Sequence, residues 1–479
     1  MLVSTTKLTA IAGTVAFVCA FAASLQANAL WTETDSFAGN PGVNDLFGGV
    51  DIQGDTLFVG GREPARVEVY TNVDGTWTFD ETISGLGFGS PQLDGSTAVV
   101  AEGNIVNVLE DIAGTWTQVA AILPSGHTSH TKRGSTIVVG DRNADVAYVY
   151  DDAGGNTWGL TQTLVPMTGG TAGQFGRKVY YDGVDIIAVA DSREDDSSNP
   201  TEDDRTGAVH IYQKQGPTWN HVYRIPGVDP FSDFGGGLAG DGDLLVVGQP
   251  GTGPDFRGTA FVYERQPDNT YWPIQELVPA STIPGGFEYG FDVAIDGDTI
   301  VVGGQLDRSG DNNLGGAYIW ENQGGMWVEV DFLQSGDIHD DDLFGVDVAI
   351  SGDTTAIGAL FWNRAGGPPG GLPQEPWEGK AYIFARDLGP DADYDNDGTW
   401  GLGDLNLVLF NWGEDGADLP AAWMDSRPGA GTLVGLPELN QVLFSWGDPG
   451  SVATVPEPWS CTLMTLAVLA MRSFFRVRF

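Results

Sequence analysis

One short pattern recurs along this chain and limits what it can fold into. Each copy has an aromatic residue followed by glycine, a short apolar run, a turn with Gly-Asp or Asp-Gly, and a second apolar run. Because glycine adopts the positive φ that tight hairpin turns need, each copy predicts two antiparallel strands. The copies lie at 47–61, 88–103 (the weakest), 175–191, 234–250, 289–305 and 344–360.

Further strand-like stretches follow these copies. Third strands are predicted at 66–70, 105–109, 147–151, 208–212, 259–263, 316–320 and 380–384. Fourth strands, each with a tryptophan, are predicted at 76–83, 115–123, 157–164, 218–225, 271–278 and 326–333. A unit at 130–150 keeps its strands without the aromatic-Gly pair. Four-stranded units that recur along the chain in this way predict an all-β fold, a seven-bladed β-propeller.

The seventh unit has no tryptophan strand of its own. The segment LWTETDSF, residues 30–37, stands alone before the first unit and reads as one strand. We predict that it pairs with the strand around Tyr382, so that the N-terminal strand closes the propeller over residues 30–387. Such closure hides the sheet edges that would otherwise invite aggregation.

The charge of the chain excludes one class of partner. There are 65 Asp and Glu residues against 22 Lys and Arg, a net charge of -43. Phosphate binding needs a basic face, so we expect no nucleic-acid partner. The acidity suits solubility outside the cell and binding of divalent cations.

The N-terminal segment predicts export. Residues 8–25 are apolar, and Ala27-Asn28-Ala29 has the small-x-small pattern of a cleavage site. We therefore predict a signal peptide over 1–29. The two cysteines, Cys19 and Cys461, both lie in terminal apolar stretches, so the propeller should fold without disulfides.

The repeat FG-x-V-D-V-A-I-x-G-D-T resembles the FG-GAP repeats of integrin α-subunit propellers and their bacterial relatives. The resemblance implies an extracellular adhesion or binding platform. Integrin propellers also hold calcium in D-x-D-x-D-G-type blade loops. This chain has no such loop before residue 388, so that property is not carried over.

A calcium-loop pattern, D-x-D-x-D-G, follows the repeats at 393–398, and an apolar run with helical spacing comes after it. Alternating carboxylates on a tight loop supply the six or seven oxygens that Ca²⁺ prefers. The predicted ligands are Asp393, Asp395, Asp397, the carbonyl of Thr399, and Asp404.

A second copy follows, in which 435–447 aligns with 401–413, but Arg427, Gly429 and Gly431 at loop positions 1, 3 and 5 are not ligands. Residues 388–450 resemble a type I dockerin, a small α-helical module of two EF-hand-type loops. That resemblance implies bound calcium and a cohesin-like partner, and the second calcium stays open. The alternative is an acidic linker with two small helices that pack Trp412 against Trp446.

The C-terminal segment 451–479 has a short polar motif, an apolar run and a basic end. The motif is Val455, Pro456, Glu457 and Pro458. The segment resembles the PEP-CTERM sorting signal, which implies a transmembrane segment, an exosortase-type protease and the surface of a Gram-negative-type bacterium. The alternative is a plain C-terminal membrane anchor.

Two acidic loops raise the question of further metal sites. We expect both to be solvated, since charge runs usually face water, and a weak calcium site is the alternative. Their acidic residues are Asp191, Glu194, Asp195, Asp196, Glu202, Asp203 and Asp204 in one loop, and Asp307 and Asp311 in the other.

The sequence predicts no catalytic residues and no cofactor other than Ca²⁺. His127 and His130 are expected in a loop, His210 within a strand and His221 on a tryptophan strand. The residues of the innermost strands are expected to be small or apolar. The chain therefore reads as a non-catalytic, exported or surface-displayed propeller that binds an extracellular protein or glycan. The alternative is a polysaccharide-acting propeller enzyme, or a component of a polysaccharide-degrading assembly; acidic side chains converging in the central channel would favour it.

Overall fold

The computed structural model describes residues 31–73, 75–86, 90–167, 173–195, 205–227, 229–251, 257–279, 288–305, 314–339, 342–362 and 376–386. Trp31–Arg386 forms one compact unit. The predicted signal peptide, the dockerin-like module with its ligands, and the sorting signal lie outside the described residues. Within the described ranges, no helix has the length and apolar character of a membrane span.

The regular structure of the described residues is all β, in seven four-stranded sheets that we number as blades 1–7. Blade 1 has β2 (Gly49–Gln53), β3 (Thr56–Arg62), β4 (Ala65–Val73) and β5 (Thr76–Ser84). Blade 2 has β6 (Gln92–Asp94), β7 (Thr97–Glu102), β8 (Ile105–Asp111) and β9 (Trp116–Ile122). Blade 3 has β10 (Ser129–Arg133), β11 (Thr136–Asp141), β12 (Val146–Asp152) and β13 (Trp158–Leu164).

The remaining blades repeat this order. Blade 4 has β14 (Phe175–Tyr181), β15 (Ile186–Asp191), β16 (Ala208–Gln215) and β17 (Thr218–Pro226). Blade 5 has β18 (Leu238–Asp241), β19 (Leu244–Gln249), β20 (Thr259–Arg265) and β21 (Tyr271–Leu277). Blade 6 has β22 (Asp292–Asp296), β23 (Thr299–Gly304), β24 (Gly316–Asn322) and β25 (Trp327–Leu333). Blade 7 has β26 (Phe344–Ser351), β27 (Thr354–Ala359), β28 (Lys380–Arg386) and the N-terminal strand β1 (Trp31–Ala38).

The N-terminal strand closes the ring, as the sequence predicted. β1 pairs antiparallel with β28, with Trp31 opposite Arg386 and Ser36 opposite Tyr382. The sheet order β1-β28-β27-β26 makes β1 the outermost strand of blade 7. The two ends of the repeat region therefore share one sheet, and the seven-bladed propeller is confirmed.

The aromatic-Gly pair brings adjacent blades into close contact. The aromatic side chains Phe47, Phe175, Phe234, Tyr289 and Phe344 are fully buried. The glycine after each aromatic residue has a positive φ, 88° at Gly290. A Cβ on Gly248 of blade 5 would lie 1.9 Å from the carbonyl oxygen of Gly290 in blade 6. The glycine after the aromatic residue and the glycine of the second strand, here Gly290 and Gly248, are thus required where two blade backbones meet.

The tryptophans of the outer strands are held by the preceding blade. Gln275 on β21 accepts a hydrogen bond from the N–H of Trp327 at 2.8 Å and donates one to its carbonyl oxygen. Gln162 holds Trp219 in the same way. The N–H of Trp31 donates to Asp331 of blade 6 at 2.8 Å, so β1 takes the place of a blade's own fourth strand.

Candidate functional site

A cavity of about 370 Å³ opens into the central channel and is lined by residues of the innermost strand of all seven blades. These strands, β2, β6, β10, β14, β18, β22 and β26, each have one edge without a partner strand within the sheet. Backbone N–H groups on such an edge need acceptors from elsewhere. The side chains of the inner strands supply them.

Where these acceptors join two blades, they run in one direction around the ring: the acceptor lies in one blade and the N–H group in the blade that follows it. Asp51 of blade 1 accepts the N–H of Leu93 in blade 2. At the hairpin turns, Asp241 accepts from Gly297 at 2.9 Å, and Asp296 accepts from Gly352 at 2.6 Å. These side chains therefore join neighbouring blades at the inner edge of the propeller.

One hydroxyl and three charged groups converge at one level of the channel, in what we call the channel cluster: Ser90, Lys178, Asp292 and Asp347. The Lys178 ammonium lies 2.6 Å from Oδ1 of Asp292, although their blades, 4 and 6, are not adjacent. The hydroxyl of Ser90 in blade 2 donates to Asp347 of blade 7 at 2.8 Å. Each pair spans an intervening blade, and blade 5 carries Gly237 at this level.

Backbone contacts fix both carboxylates of the channel cluster. Asp347 accepts the N–H of Val50 at 2.8 Å, and Asp292 accepts that of Val348 at 3.0 Å. Both aspartates are more than nine-tenths buried. The cluster therefore presents two rigidly held carboxylates and a single ammonium group to the cavity.

The electrostatics of the channel follow from burial. Burial, with the charge of Asp292, raises the pKa of Asp347 well above its usual value. Burial would lower the pKa of Lys178, but the charges of Asp292 and Asp347 outweigh it, and the pKa is raised. Burial also raises the pKa of Asp51 to about 7, against the opposing effect of the Leu93 N–H. Lys178 is therefore charged at neutral pH.

The expectation that inner-strand residues are small or apolar is wrong at these positions. The repeat V-D-V-A-I carries Asp347, and F-D-V-A-I carries Asp292. Both lie in predicted strands, to which the sequence analysis assigns no polar role. The aspartate inside an otherwise apolar strand was the signal that could have identified the channel cluster.

Two histidines also line the cavity. Nε2 of His127 lies 2.9 Å from Nδ1 of His130. Burial lowers the pKa of His127 to about 4 and that of His130 to about 3, so both rings are neutral at neutral pH. His130 lies on β10, so its predicted place in a loop is wrong; the strand positions of His210 and His221 are confirmed.

The acidic loop after β15 is not solvated at its start. Asp191 and Glu194 are 3% and 4% exposed, so the expectation of solvent exposure is wrong for both. They lie beside His210, which the sequence did not connect with them. Of the other acidic residues named for the two loops, only Asp195 belongs to the described residues.

Comparison with known proteins agrees with the fold. Residues 280–320 and 327–384 match the FG-GAP repeat model, and these stretches contain most of blades 6 and 7. No curated protein matches the chain. The chain is thus a seven-bladed β-propeller, and two stretches of it match the FG-GAP repeat.

Proposed function

We propose that this chain is a non-catalytic, exported binding or adhesion propeller that takes an extracellular protein or glycan ligand at its central channel. The observation that carries the proposal is the cavity of about 370 Å³ with the channel cluster in its wall. Concave sites with a few fixed polar groups are where proteins usually bind ligands.

The chemistry of the channel cluster favours certain ligand groups. Carboxylate oxygens accept hydrogen bonds, and the single ammonium of Lys178 is already paired with Asp292. Hydroxyl groups of a glycan, or an amino or guanidino group of a protein, match such a wall. The net charge of -43 disfavours polyanionic ligands.

The C-terminal part of the proposal rests on sequence patterns. Calcium bound by Asp393, Asp395, Asp397, Thr399 and Asp404 would order a dockerin-like module able to engage a cohesin-like partner. The tail with Val455-Pro456-Glu457-Pro458 would be recognised by an exosortase-type protease at a bacterial surface. Calorimetric titration with Ca²⁺ before and after Asp395→Ala tests the calcium site: the substitution should abolish the corresponding heat.

The binding proposal is tested on glycan and protein arrays probed with the mature chain, with and without calcium. Lys178→Met and Asp347→Asn alter the channel cluster, and we expect each to weaken binding at least tenfold. Trp272→Ala is the matched control, because Trp272 is 62% exposed on the outer strand of blade 5. Undiminished binding by both channel variants would contradict the channel as the ligand site.

A second candidate, a polysaccharide-acting enzyme, is favoured by one observation. Asp292 and Asp347 line the same cavity, and the raised pKa of Asp347 suits a general acid. Against it, each carboxylate is held by a backbone N–H of the next blade. Release of reducing sugar from extracellular polysaccharides, lost in Asp347→Asn, would establish this alternative; its absence from the wild-type reaction would exclude those substrates.

A further inference from the structure

Blade 4 has a histidine in the middle of its third strand, where four other blades have an aromatic residue. His210 on β16 pairs with Val189 on β15. The corresponding residues of blades 3, 5, 6 and 7 are the aromatic residues Tyr148, Phe261, Tyr318 and Tyr382. Blades 1 and 2 have Glu68 and Asn107 there, so the position accepts polar side chains as well as aromatic rings. Because the imidazole of His210 is fully buried, its role depends on the polar groups around it.

His210 lies in a buried group of polar side chains. Its Nε2 is 2.6 Å from Oε2 of Glu194, and its Nδ1 is 3.1 Å from Nε2 of His221. Asp191, the last residue of β15, lies close to Glu194 and His210. One ligand atom from each of these three residues lies within 4.8 Å of the other two. All three side chains are more than nine-tenths buried.

Asp191 supplies an unused acceptor in this group. Its Oδ1 accepts the N–H of Gln174. Its Oδ2 accepts no hydrogen bond from any described residue, although the side chain is 3% exposed. A carboxylate oxygen that accepts no hydrogen bond can take a cation as its partner.

We propose that Asp191, Glu194 and His210 form a binding site for a divalent transition-metal ion, with Zn²⁺ as the model ion. Ligand atoms bound to one such ion at about 2.0–2.2 Å lie up to about 4.4 Å apart, which small side-chain movements provide. An imidazole nitrogen with two carboxylates suits Zn²⁺ or Mn²⁺, whereas Ca²⁺ prefers six to eight oxygens. The site is independent of the channel.

The surrounding residues suit this role. His221 can accept the Nδ1–H of His210, which would leave Nε2 free to bind the metal. Arg224 donates to Oε1 of Glu194 at 2.9 Å, which orients the other oxygen toward His210. Partners of this kind orient metal ligands in proteins. A bound ion would tie the start of the connection after β15 to the third strand of the same blade.

Blade 3 provides a matched control. Asp141 ends β11 as Asp191 ends β15, and it is equally buried. Its Oδ1 instead accepts the N–H groups of Asn143 and Ala144. Asp141→Asn therefore removes a carboxylate from the equivalent position without touching the proposed site.

The experiment measures Zn²⁺, Mn²⁺ and Ca²⁺ binding to the full chain by calorimetry, with thermal unfolding of each variant as the check on folding. We expect a Zn²⁺ site whose affinity falls at least 10- to 100-fold in Asp191→Asn and in His210→Gln, and is unchanged in Asp141→Asn. Co²⁺ should give a visible ligand-field band that His210→Gln removes.

Two results would overturn the proposal. One is equal Zn²⁺ binding by the wild type and a folded Asp191→Asn variant. The other is a site disrupted by Asp191→Asn that takes Ca²⁺ in preference to Zn²⁺. Because the nearly isosteric Asp191→Asn keeps the acceptor for Gln174, it should fold even if His210→Gln does not.

Discussion

The closure of the propeller by β1 can be tested at its first residue. Trp31 is 5% exposed and packs in a cluster with residues of blades 6 and 7, among them Ile319, Leu333 and Val348. Replacing a buried tryptophan by alanine costs about 3–5 kcal/mol of unfolding free energy. Trp31→Ala should show this loss, because the backbone bond to Asp331 cannot compensate for the lost packing.

The expected change in melting temperature follows from the size of the unit. Trp31–Arg386 has 386 − 31 + 1 = 356 residues. At ~2.1 cal/mol/K per residue the unfolding entropy is ~0.75 kcal/mol/K, so the loss lowers the melting temperature by roughly 4–7 °C. Thermal unfolding followed by circular dichroism measures it. Trp272→Ala, on the exposed face of another outer strand, should change stability by no more than about 0.5 kcal/mol.

Equal melting temperatures for the two alanine variants would refute the reasoning. A cross-link separates strand pairing from side-chain packing. Thr32 and Ala385 are directly opposite in the pairing of β1 with β28, and cysteines at such positions are close enough for a disulfide. The double variant Thr32→Cys/Ala385→Cys should oxidise without unfolding. Failure to form this bond in the folded protein would also contradict the closure.

Three further predictions concern blade contacts and the channel. Gln275→Ala removes both bonds to Trp327 and should cost about 1–2 kcal/mol in urea unfolding; no loss would show that the outer strands do not depend on this side chain. Gly290→Ala places a Cβ 2.4 Å from a carbonyl oxygen, whereas Gly297→Ala meets nothing within 4 Å. The first should therefore destabilise the protein far more than the roughly 1–2 kcal/mol expected for the second, and equal losses in thermal unfolding would contradict the close blade contact. Because the pKa of Asp51 is raised to about 7, its contribution to the free energy of unfolding is complete below pH 4 and is lost as the pH rises through 7. In urea unfolding, Asp51→Asn should reduce the difference in unfolding free energy between pH 5 and pH 8. A variant with the same difference as the wild type would contradict this prediction.

The sequence predicted the blades because their determinants are local. An aromatic-Gly pair, a Gly-Asp turn and two apolar runs lie within about fifteen residues. The closure could be predicted because seven third strands had only six tryptophan partners. Trp31 therefore had one remaining place to pair.

The channel could not be predicted because its contacts join residues remote in sequence. Asp347 accepts from Val50, 297 positions away, and Lys178 reaches Asp292, 114 positions away. Which inner side chains meet depends on the order of blades around the ring and on small residues such as Gly237 between them. Hydrophobic alternation carries neither piece of information.

The hydrogen bonds at the inner edge make the protection of backbone N–H groups from hydrogen exchange depend on the preceding blade. Each acceptor belongs to one blade and shields a backbone N–H of the blade that follows it, as Asp241 does for Gly297 and Asp296 for Gly352. Loss of the Asp296 carboxylate should speed hydrogen exchange at Gly352 in blade 7 and leave Gly297, in its own blade, slow. Local opening at the inner edge of blades 5 to 7 would then pass from the blade with the acceptor to the blade that follows it.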